Sequence, residues 1–268
     1  LYTINNTIDM KNLGEQLAAS WLNKSFLNLS TLATKDVPSS RKDAFEAQNF
    51  FYKSVNKKTV GWKIGAVSKE IQEEEGYDGP VPGKIFLETF LKTNTEINYN
   101  DIPYSNLECE YALQFPNKAK IDQELEKNLS QIKLFTAIDI TSTRYEPISK
   151  AKYSKLVQMY LGIADHGNGG RIIIGHEILG WQNKEINKIK IKLDVNGRIS
   201  EPHFTGTKRI HPLISLKAFI EEFKDQDMHI NSNDYLLCGS LIQPYNIKKS
   251  DYIKIEYEEL SKFEINIK

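Results

Sequence analysis

Hydrophobic and polar residues alternate most regularly between Asn106 and Phe115. This alternation predicts a β-strand with one apolar face and one polar face. The apolar face carries Leu107, Cys109, Tyr111, Leu113 and Phe115. The other face carries Asn106, Glu108, Glu110, Ala112 and Gln114. The two carboxylates on that face are one pleat apart, so they require a cation, a proton or abundant water between them.

Apolar residues at helical spacing predict the helices of the chain. These helices are expected over residues 10–22, 43–56, 121–132 and 150–162. Ser68 is expected to cap a short acidic helix that ends near Glu75. Pro212 predicts the start of a further helix that continues to Phe223.

Alternating or continuous apolar runs predict the remaining strands. They are expected over residues 59–66, 133–141, 172–174, 188–195, 235–237, 252–257 and 263–267. Asn196-Gly197 is a hairpin signal, and the Gly-rich and Pro-rich segments 76–83 and 165–170 predict loops. Helices thus precede and interrupt a mainly β second half, which predicts an α+β fold and not the βαβ alternation of a doubly wound sheet.

Composition narrows the class of protein. The chain has 268 residues with Lys+Arg 35 and Asp+Glu 35, so its formal net charge is zero. This balance, without a basic cluster, argues against a nucleic-acid binder, and no apolar run is long enough for a transmembrane helix. Cys109 and Cys238 are expected to be buried thiols, with one disulfide as the alternative. We expect a cytoplasmic protein, with a removed signal peptide left open because the chain begins at Leu1.

Asp139 adds a third carboxylate to the pair on the alternating strand. It lies in the apolar run Thr136-Ala137-Ile138-Asp139-Ile140, where burial without a partner would cost several kcal/mol. Three carboxylates from two strands offer the oxygen ligands that Mg²⁺ or Mn²⁺ prefers. The alternative is a solvated strand face for Glu108 and Glu110, with Asp139 at a strand end.

Other candidate residues carry weaker signals. Lys63 lies in an aromatic and apolar strand, where it could transfer a proton or hold a carboxylate, or could instead extend to solvent at a sheet edge. Asp165 and His166 resemble an acid–base pair, although Asp165 could simply form the turn. Ser240 follows a strand, where it could bind a carboxylate or start a turn.

Several of these segments, in this order, resemble a known family. They are GWKIGAVSKEIQ (Gly61 to Gln72), LECEYALQF (Leu107 to Phe115), AIDITSTR (Ala137 to Arg144), IADHGNGGRIIIG (Ile163 to Gly175), Asn196-Gly197 and LLCGSL (Leu236 to Leu241). The sequence resembles the 2-keto-4-pentenoate hydratases and 2-oxo-3-hexenedioate decarboxylases of the fumarylacetoacetate hydrolase (FAH) superfamily. The resemblance covers roughly residues 43 to 268.

The resemblance implies a fold and a set of roles. The fold would be a mixed β-sheet roll with flanking helices, with residues 1–58 as a helical region packed on a catalytic domain of residues 59–268. Glu108, Glu110 and Asp139 would bind a divalent metal, Mg²⁺ or Mn²⁺. Lys63, Asp165 and His166 would be catalytic. Ser240 and Arg144 would bind a small 2-oxo acid substrate, in a homodimer or higher homo-oligomer.

The sequence also departs from the family pattern. Asp139 stands where the family has a Glu, and Ser142-Thr143-Arg144 replaces Asp-Ser-Arg. Pro80-Val81-Pro82-Gly83 replaces Pro-Asp-Phe-Gly, so Val81 takes the place of an acidic residue. Asp165-His166-Gly167-Asn168 replaces Asp-Asn-Ala-Ser. The metal motif is better kept than the substrate pocket, which suggests an altered substrate or lost activity.

Three functions follow from these observations. The first is a metal-dependent lyase of aromatic catabolism, a hydratase or decarboxylase, which acts on a 2-oxo or 2-hydroxydienoate acid through a metal-stabilised enolate. The second is hydrolytic C–C cleavage of an acylpyruvate, for which His166 is the candidate base. The third is a degenerate member that binds a small acid without turnover.

Overall fold

A computed structural model describes residues 10–122, 125, 127 and 129–268. Six α-helices lie within these residues: α1 (Lys11–Asn23), α2 (Arg41–Val55), α3 (Lys69–Glu75), α4 (Pro147–Lys150), α5 (Lys155–Ala164) and α6 (Pro212–Phe223). None of the helices in the described part of the chain is long and apolar enough to cross a membrane.

The strands follow the chain from Thr59 to Ile267. They are β1 (Thr59–Gly65), β2 (Val81–Phe86), β3 (Phe90–Leu91), β4 (Asn94–Ile97), β5 (Asn106–Gln114), β6 (Ala119–Lys120), β7 (Lys133–Thr141), β8 (Arg171–Glu177), β9 (Ile191–Val195), β10 (Arg198–Ser200), β11 (His229–Ile230), β12 (Tyr235–Leu237), β13 (Tyr245–Asn246), β14 (Tyr252–Tyr257) and β15 (Ser261–Ile267).

Two mixed sheets form most of the β structure. The larger has the order β2-β1-β12-β5-β7-β8-β3, with β13 paired to β5, and the smaller has the order β10-β9-β14-β15-β4. Strand β5 lies near the middle of the larger sheet and pairs with β7 along its whole length. The mixed sheets and surrounding helices confirm the α+β fold class that the sequence predicted.

The regular alternation in β5 produces the two faces that the sequence predicted. Leu107, Cys109, Tyr111 and Leu113 are buried in the main core, together with side chains of β14, β15 and α6. Glu108 and Glu110 project from the opposite face. Ala112 on that face packs in a smaller apolar cluster with Ala137 and Leu237. The core on one side therefore fixes which residues of β5 face the other.

The first two helices pack together and cover part of the larger sheet. Helix α2 contacts α1 on one side and α5 on another. Gln48 of α2 is buried, and its side-chain amide donates to the carbonyl oxygens of Pro82 at 2.9 Å and Ile163 at 2.6 Å. This one side chain joins α2 to strand β2 and to helix α5.

Most predicted elements form close to the expected positions. Ser68 caps α3 by accepting a hydrogen bond from the backbone N–H of Ile71, and Pro212 is the first residue of α6. Asn196 and Gly197 both adopt positive φ between β9 and β10, as the hairpin signal predicted. Cys109 and Cys238 are buried free thiols, so the prediction of unpaired cysteines is confirmed.

Three predicted elements differ from the structure. The helix expected at 150–162 begins only at Lys155, because Ser154 caps it there. The strand expected at 188–195 begins at Ile191, after a short 3₁₀ turn. The loop expected at 76–83 is wrong at its end, because β2 begins at Val81. The helix expected at 121–132 includes positions 123, 124, 126 and 128, which lie outside the described residues.

Strand β2 tolerates a proline because it lies at the edge of its sheet. Pro82 lacks an N–H, which an edge strand does not need on its open side. Gly83 follows it and lies against the backbone of His166 and Gly167, and a Cβ atom at Gly83 would overlap with the carbonyl oxygen of His166. The strand and the loop 165–170 therefore fit together only if residue 83 is glycine.

We predict that Gly83→Ala lowers the free energy of unfolding by about 2–4 kcal/mol, because either β2 or the loop must move. Urea unfolding followed by circular dichroism measures this loss. Gly65→Ala is a matched control, since the nearest atom to its added Cβ would be the carbonyl oxygen of Val81, 3.9 Å away. Equal unfolding midpoints for the two variants would contradict the close approach.

Candidate metal centre and substrate cavity

The pairing of β5 with β7 brings three carboxylates together. Glu108 lies directly opposite Asp139 in the register, and Glu110 lies opposite Ala137. One carboxylate oxygen from each of Glu108, Glu110 and Asp139 lies within 4.8 Å of the others. Glu110 is 2% exposed, Asp139 is 0% exposed and Glu108 is half-buried at the wall of a cavity, so these carboxylates do not lie on an open solvated surface.

Lys63 supplies the positive charge nearest to this group. It lies on β1, which pairs with β12, and β12 in turn pairs with β5. Its ammonium group forms an ion pair and a short hydrogen bond with Asp139 Oδ2. Lys63 is 5% exposed, so the alternative of a side chain that extends to solvent does not describe it.

The charges in this group shift one another's pKa values. Burial raises the pKa of Glu108 to about 7, and the charge of Asp139 adds to the shift. Burial also raises the pKa of Glu110 and that of Asp139, although Lys63 opposes both shifts. Burial lowers the pKa of Lys63, but Asp139, Glu108 and Glu110 together raise it by more, so this ammonium stays charged.

Two further contacts hold the acidic strand in place. The backbone N–H of Gly239 donates to Glu110 Oε2 at 2.8 Å. The hydroxyl of Tyr257 lies 3.0 Å from the carbonyl oxygen of Glu110 and 2.8 Å from that of Ala137. Tyr257 therefore contacts both β5 and β7 directly beneath the carboxylates, from the core side of the sheet.

A cavity of about 420 Å³ opens beside this group. Lys63, Glu108, Glu110 and Ser240 line it, which brings four of the predicted site residues together. Its outer wall combines apolar and charged side chains from α3 and from the segments near residues 77–81 and 204–210: Ile71, Glu74, Glu75, Tyr77, Val81, Phe204, Lys208 and Ile210.

The three carboxylates fit a hard divalent cation. Asp139 Oδ1 is buried and has no hydrogen-bond partner, which is costly unless a cation or a proton occupies its lone pairs. Oxygen donors alone, without Cys or His, match Mg²⁺, Mn²⁺ or Ca²⁺ better than Zn²⁺. The buried orphan oxygen and the donor chemistry therefore both suit such an ion.

Arg144 and Asp165 pair with each other away from the cavity. Arg144 Nε lies 2.5 Å from Asp165 Oδ1, and the backbone N–H of Arg144 donates to Asp165 Oδ2 at 2.9 Å. The remaining guanidinium nitrogens donate to the carbonyl oxygens of Ser142 and Gly169. Neither Arg144 nor Asp165 lines the 420 Å³ cavity, and this buried pair instead holds the loop 165–170 against the end of β7.

His166 is buried in an aromatic cluster. Its ring stacks on Phe51 with centroids 4.9 Å apart and meets the edge of Trp21 at the same distance. Burial, and then the charge of Arg144, hold the pKa of His166 well below its usual value. The side chain does not line the cavity, although Gly167 and Asn168, which follow it, do.

Ser240 lies at the cavity wall with its hydroxyl already engaged. Its Oγ donates to the carbonyl oxygen of Ile242 at 2.7 Å and accepts a longer contact from the N–H of the same residue. This is the turn geometry that the sequence left open as an alternative.

Of the outer-wall residues, the family resemblance singled out Val81, but no sequence pattern singled out the ion pair of Glu74 and Lys208. Glu74 and Lys208 are separated by more than one hundred positions and carry no motif. Their ion pair, with Lys208 Nζ 2.6 Å from Glu74 Oε1, depends on the packing of α3 against the turn Gly206–Lys208. The acidic character of α3 was the one local sign of this wall.

Comparisons with known structures place the fold. The complex of 4-oxalocrotonate decarboxylase from Pseudomonas putida G7 with calcium and acetate is 17% identical, covers 97% of each chain and has a TM-score of 0.80. Its complex with magnesium and adipate gives 17% identity, the same coverage and a TM-score of 0.81. The 2-hydroxyhepta-2,4-diene-1,7-dioate isomerase from Mycobacterium marinum is 14% identical, with a TM-score of 0.52 over 78% of this chain and 75% of that one.

No protein-family model and no curated protein matches the sequence. At these identities the structural likeness establishes the fold, which is the FAH-like mixed β roll that the sequence resemblance implied. The likeness extends over nearly the whole chain for the decarboxylase and thus includes helices α1 and α2.

We predict that the protein binds Mg²⁺ more weakly as pH falls from 8 to 6, by about tenfold or more. Protons compete with the ion for carboxylates whose pKa values lie above the ordinary range, and Glu108 loses its proton near pH 7. Calorimetric titration at several pH values measures the change. Glu108→Gln should both weaken Mg²⁺ binding and flatten its pH dependence. An affinity that does not change with pH in the unsubstituted protein would contradict the role of these carboxylates as metal ligands.

We also predict that Arg144→Met lowers the free energy of unfolding by about 3–5 kcal/mol, because it leaves Asp165 buried without its cation. Arg198→Met, at an exposed position of β10, should leave stability nearly unchanged. If Arg144→Met instead keeps its stability and loses only affinity for a 2-oxo acid, the substrate-binding role predicted from sequence is favoured over this structural one.

Proposed function

We propose that this protein is a metal-dependent lyase of the FAH superfamily, a hydratase or decarboxylase that acts on a 2-oxo or 2-hydroxydienoate acid. The observation that carries the proposal is the buried group of Glu108, Glu110 and Asp139, paired with Lys63 at the wall of a cavity. Supporting it, the decarboxylase that shares the fold binds calcium with acetate and magnesium with adipate.

Glu108, Glu110 and Asp139 would hold a divalent ion, Mg²⁺ or Mn²⁺. When bound, such an ion supplies positive charge beside a 2-oxo carboxylate and beside the oxygen on which enolate charge develops. The three carboxylates project from a sheet face fixed by the core beneath it, so they need little rearrangement to act as ligands.

Lys63 would act on the substrate itself. An ammonium group has three N–H donors, and Asp139 accepts one of them, so two remain for a substrate oxygen in the cavity. Because its pKa is raised, Lys63 carries a proton that it can donate to a carbanionic carbon or use to hold the substrate carboxylate. Ser240 would bind the same carboxylate only after its hydroxyl turns away from Ile242.

Hydration and decarboxylation would share this arrangement, since both pass through the same enolate. The alternative, C–C hydrolysis of an acylpyruvate, was expected to use His166 as its base. The aromatic burial of His166, outside the cavity lining, gives that alternative no support. A location in the cytoplasm and a homo-oligomeric assembly stay predictions from the sequence.

We predict that Glu108→Gln abolishes Mg²⁺-dependent turnover of a 2-hydroxydienoate, with kcat/KM lower by at least about 10³-fold, because one metal ligand loses its charge. The decay of the dienoate absorbance measures the rate. Glu256→Gln is a matched control, since Glu256 lies on β14 outside the cavity lining and should leave the rate unchanged.

Full activity of Glu108→Gln would rule out the assigned ligand set. A non-catalytic acid-binding protein would instead show a melting temperature that rises with oxalate in the presence of Mg²⁺, but no turnover of any dienoate. A melting temperature that responds to neither Mg²⁺ nor Mn²⁺ would contradict both functions.

A further inference from the structure

The outer wall of the cavity carries charges that are already paired. Lys208 Nζ lies 2.6 Å and 2.8 Å from the two carboxylate oxygens of Glu74 and 3.7 Å from Glu70 Oε1. Glu75, the other acidic residue of this wall, lies 3.0 Å from Lys155 Nζ. Among the residues that line this wall, Glu74 and Glu75 carry two negative charges and Lys208 carries one positive charge, and their partners Glu70 and Lys155 add one charge of each sign outside the lining. The wall therefore has an excess of one negative charge.

The inner wall offers no additional cation. Lys63 is the only other positively charged side chain among the described residues that line the cavity, and it pairs with Asp139. The charges of the carboxylates of Glu108, Glu110 and Asp139 would be balanced by the Lys63 ammonium and a divalent ion before any substrate enters. The carboxylate next to the 2-oxo group would contact the ion and Lys63, whereas a second carboxylate at the far end of the substrate would contact neither.

The rest of the lining carries no charge and includes a group of apolar side chains beside the polar ones of Ser68, Asn106, Thr141 and Asn168. The apolar group consists of Ile71, Val81 and Ile210 with the rings of Tyr77 and Phe204. Val81 belongs to this group and stands where the sequence resemblance placed an acidic residue. A hydrocarbon tail would be buried here without loss of hydrogen bonds, whereas a charged tail would lose its hydration.

We infer that the cavity selects 2-oxo acids with a single carboxylate and an uncharged tail, and that the Glu74–Lys208 ion pair determines this selectivity. The inference rests on the proposed function, since it takes the 2-oxo carboxylate to lie at the metal centre. Glu74 keeps Lys208 from pairing with the far end of a dicarboxylic substrate, and it repels that end directly.

Two unreactive probes of equal length test the selectivity. Both 2-oxopentanoate and 2-oxoglutarate have five carbons and a 2-oxo carboxylate, and they differ in a terminal methyl group against a terminal carboxylate. Calorimetric titration of the protein with Mg²⁺ should give a dissociation constant at least about tenfold lower for 2-oxopentanoate. Equal affinity, or tighter binding of 2-oxoglutarate, would overturn the inference.

Glu74→Gln tests the role of the ion pair. It removes one negative charge from the wall and frees Lys208 of its nearer partner, so the preference for 2-oxopentanoate should shrink by about threefold to tenfold. Glu73→Gln is the matched control, because it removes the same charge from an exposed position of α3 that does not line the cavity. Equal changes of the preference in the two variants would show that it depends on the overall negative charge of α3 and would overturn the specific role of Glu74.

Failure of the inference can be told apart from failure of the proposed function. Oxalate with Mg²⁺ probes the metal centre alone, because oxalate has no tail to reach the outer wall. If oxalate raises the melting temperature and 2-oxoglutarate binds as well as 2-oxopentanoate, only the inference fails. If neither oxalate nor either probe binds in the presence of Mg²⁺, the proposed function fails and the inference fails with it.

Discussion

The burial of three carboxylates on one face of a β-sheet is the constraint on which the rest of this structure depends. Glu108, Glu110 and Asp139 come together only because β5 and β7 pair in register. Removing like charges from water in this way is unfavourable unless cations compensate for it. Lys63 compensates in part, and the orphan oxygen of Asp139 marks the charge that remains. The same unfavourable electrostatics make the site suitable for a divalent ion.

The main core makes this arrangement possible by fixing the strands from the other side. The apolar face of β5 is buried against β14, β15 and α6, so the strand cannot slip by one residue without exposing it. Tyr257 adds a polar contact to the backbones of both β5 and β7. Packing on one face of the sheet thus keeps the mutually repelling carboxylates in place on the other face.

Sequence patterns predicted the parts of the molecule that depend on local order. The alternation in β5 predicted both faces of the strand, Ser68 predicted a helix cap, and Asn196-Gly197 predicted a hairpin. The loop predicted from the Gly-rich and Pro-rich segment 76–83 was wrong at its end, where β2 begins at Val81. Whether a proline can occupy a strand depends on whether that strand lies at a sheet edge, which local sequence does not reveal. The pairing of Arg144 with Asp165, and of Lys208 with Glu74, likewise depends on contacts between distant segments.

The amide of Gln48 has a consequence for how this chain can change over time. It lies on helix α2, yet it bonds to Pro82 on the strand that carries Val81, and to Ile163 just before the loop at 165–170. Substitution of Gln48 would therefore remove a contact that holds the segments around the cavity wall. The N-terminal helices and the cavity are expected to diverge together among descendants of this protein, and an exchange of those helices between distant relatives would require compensating changes in the wall.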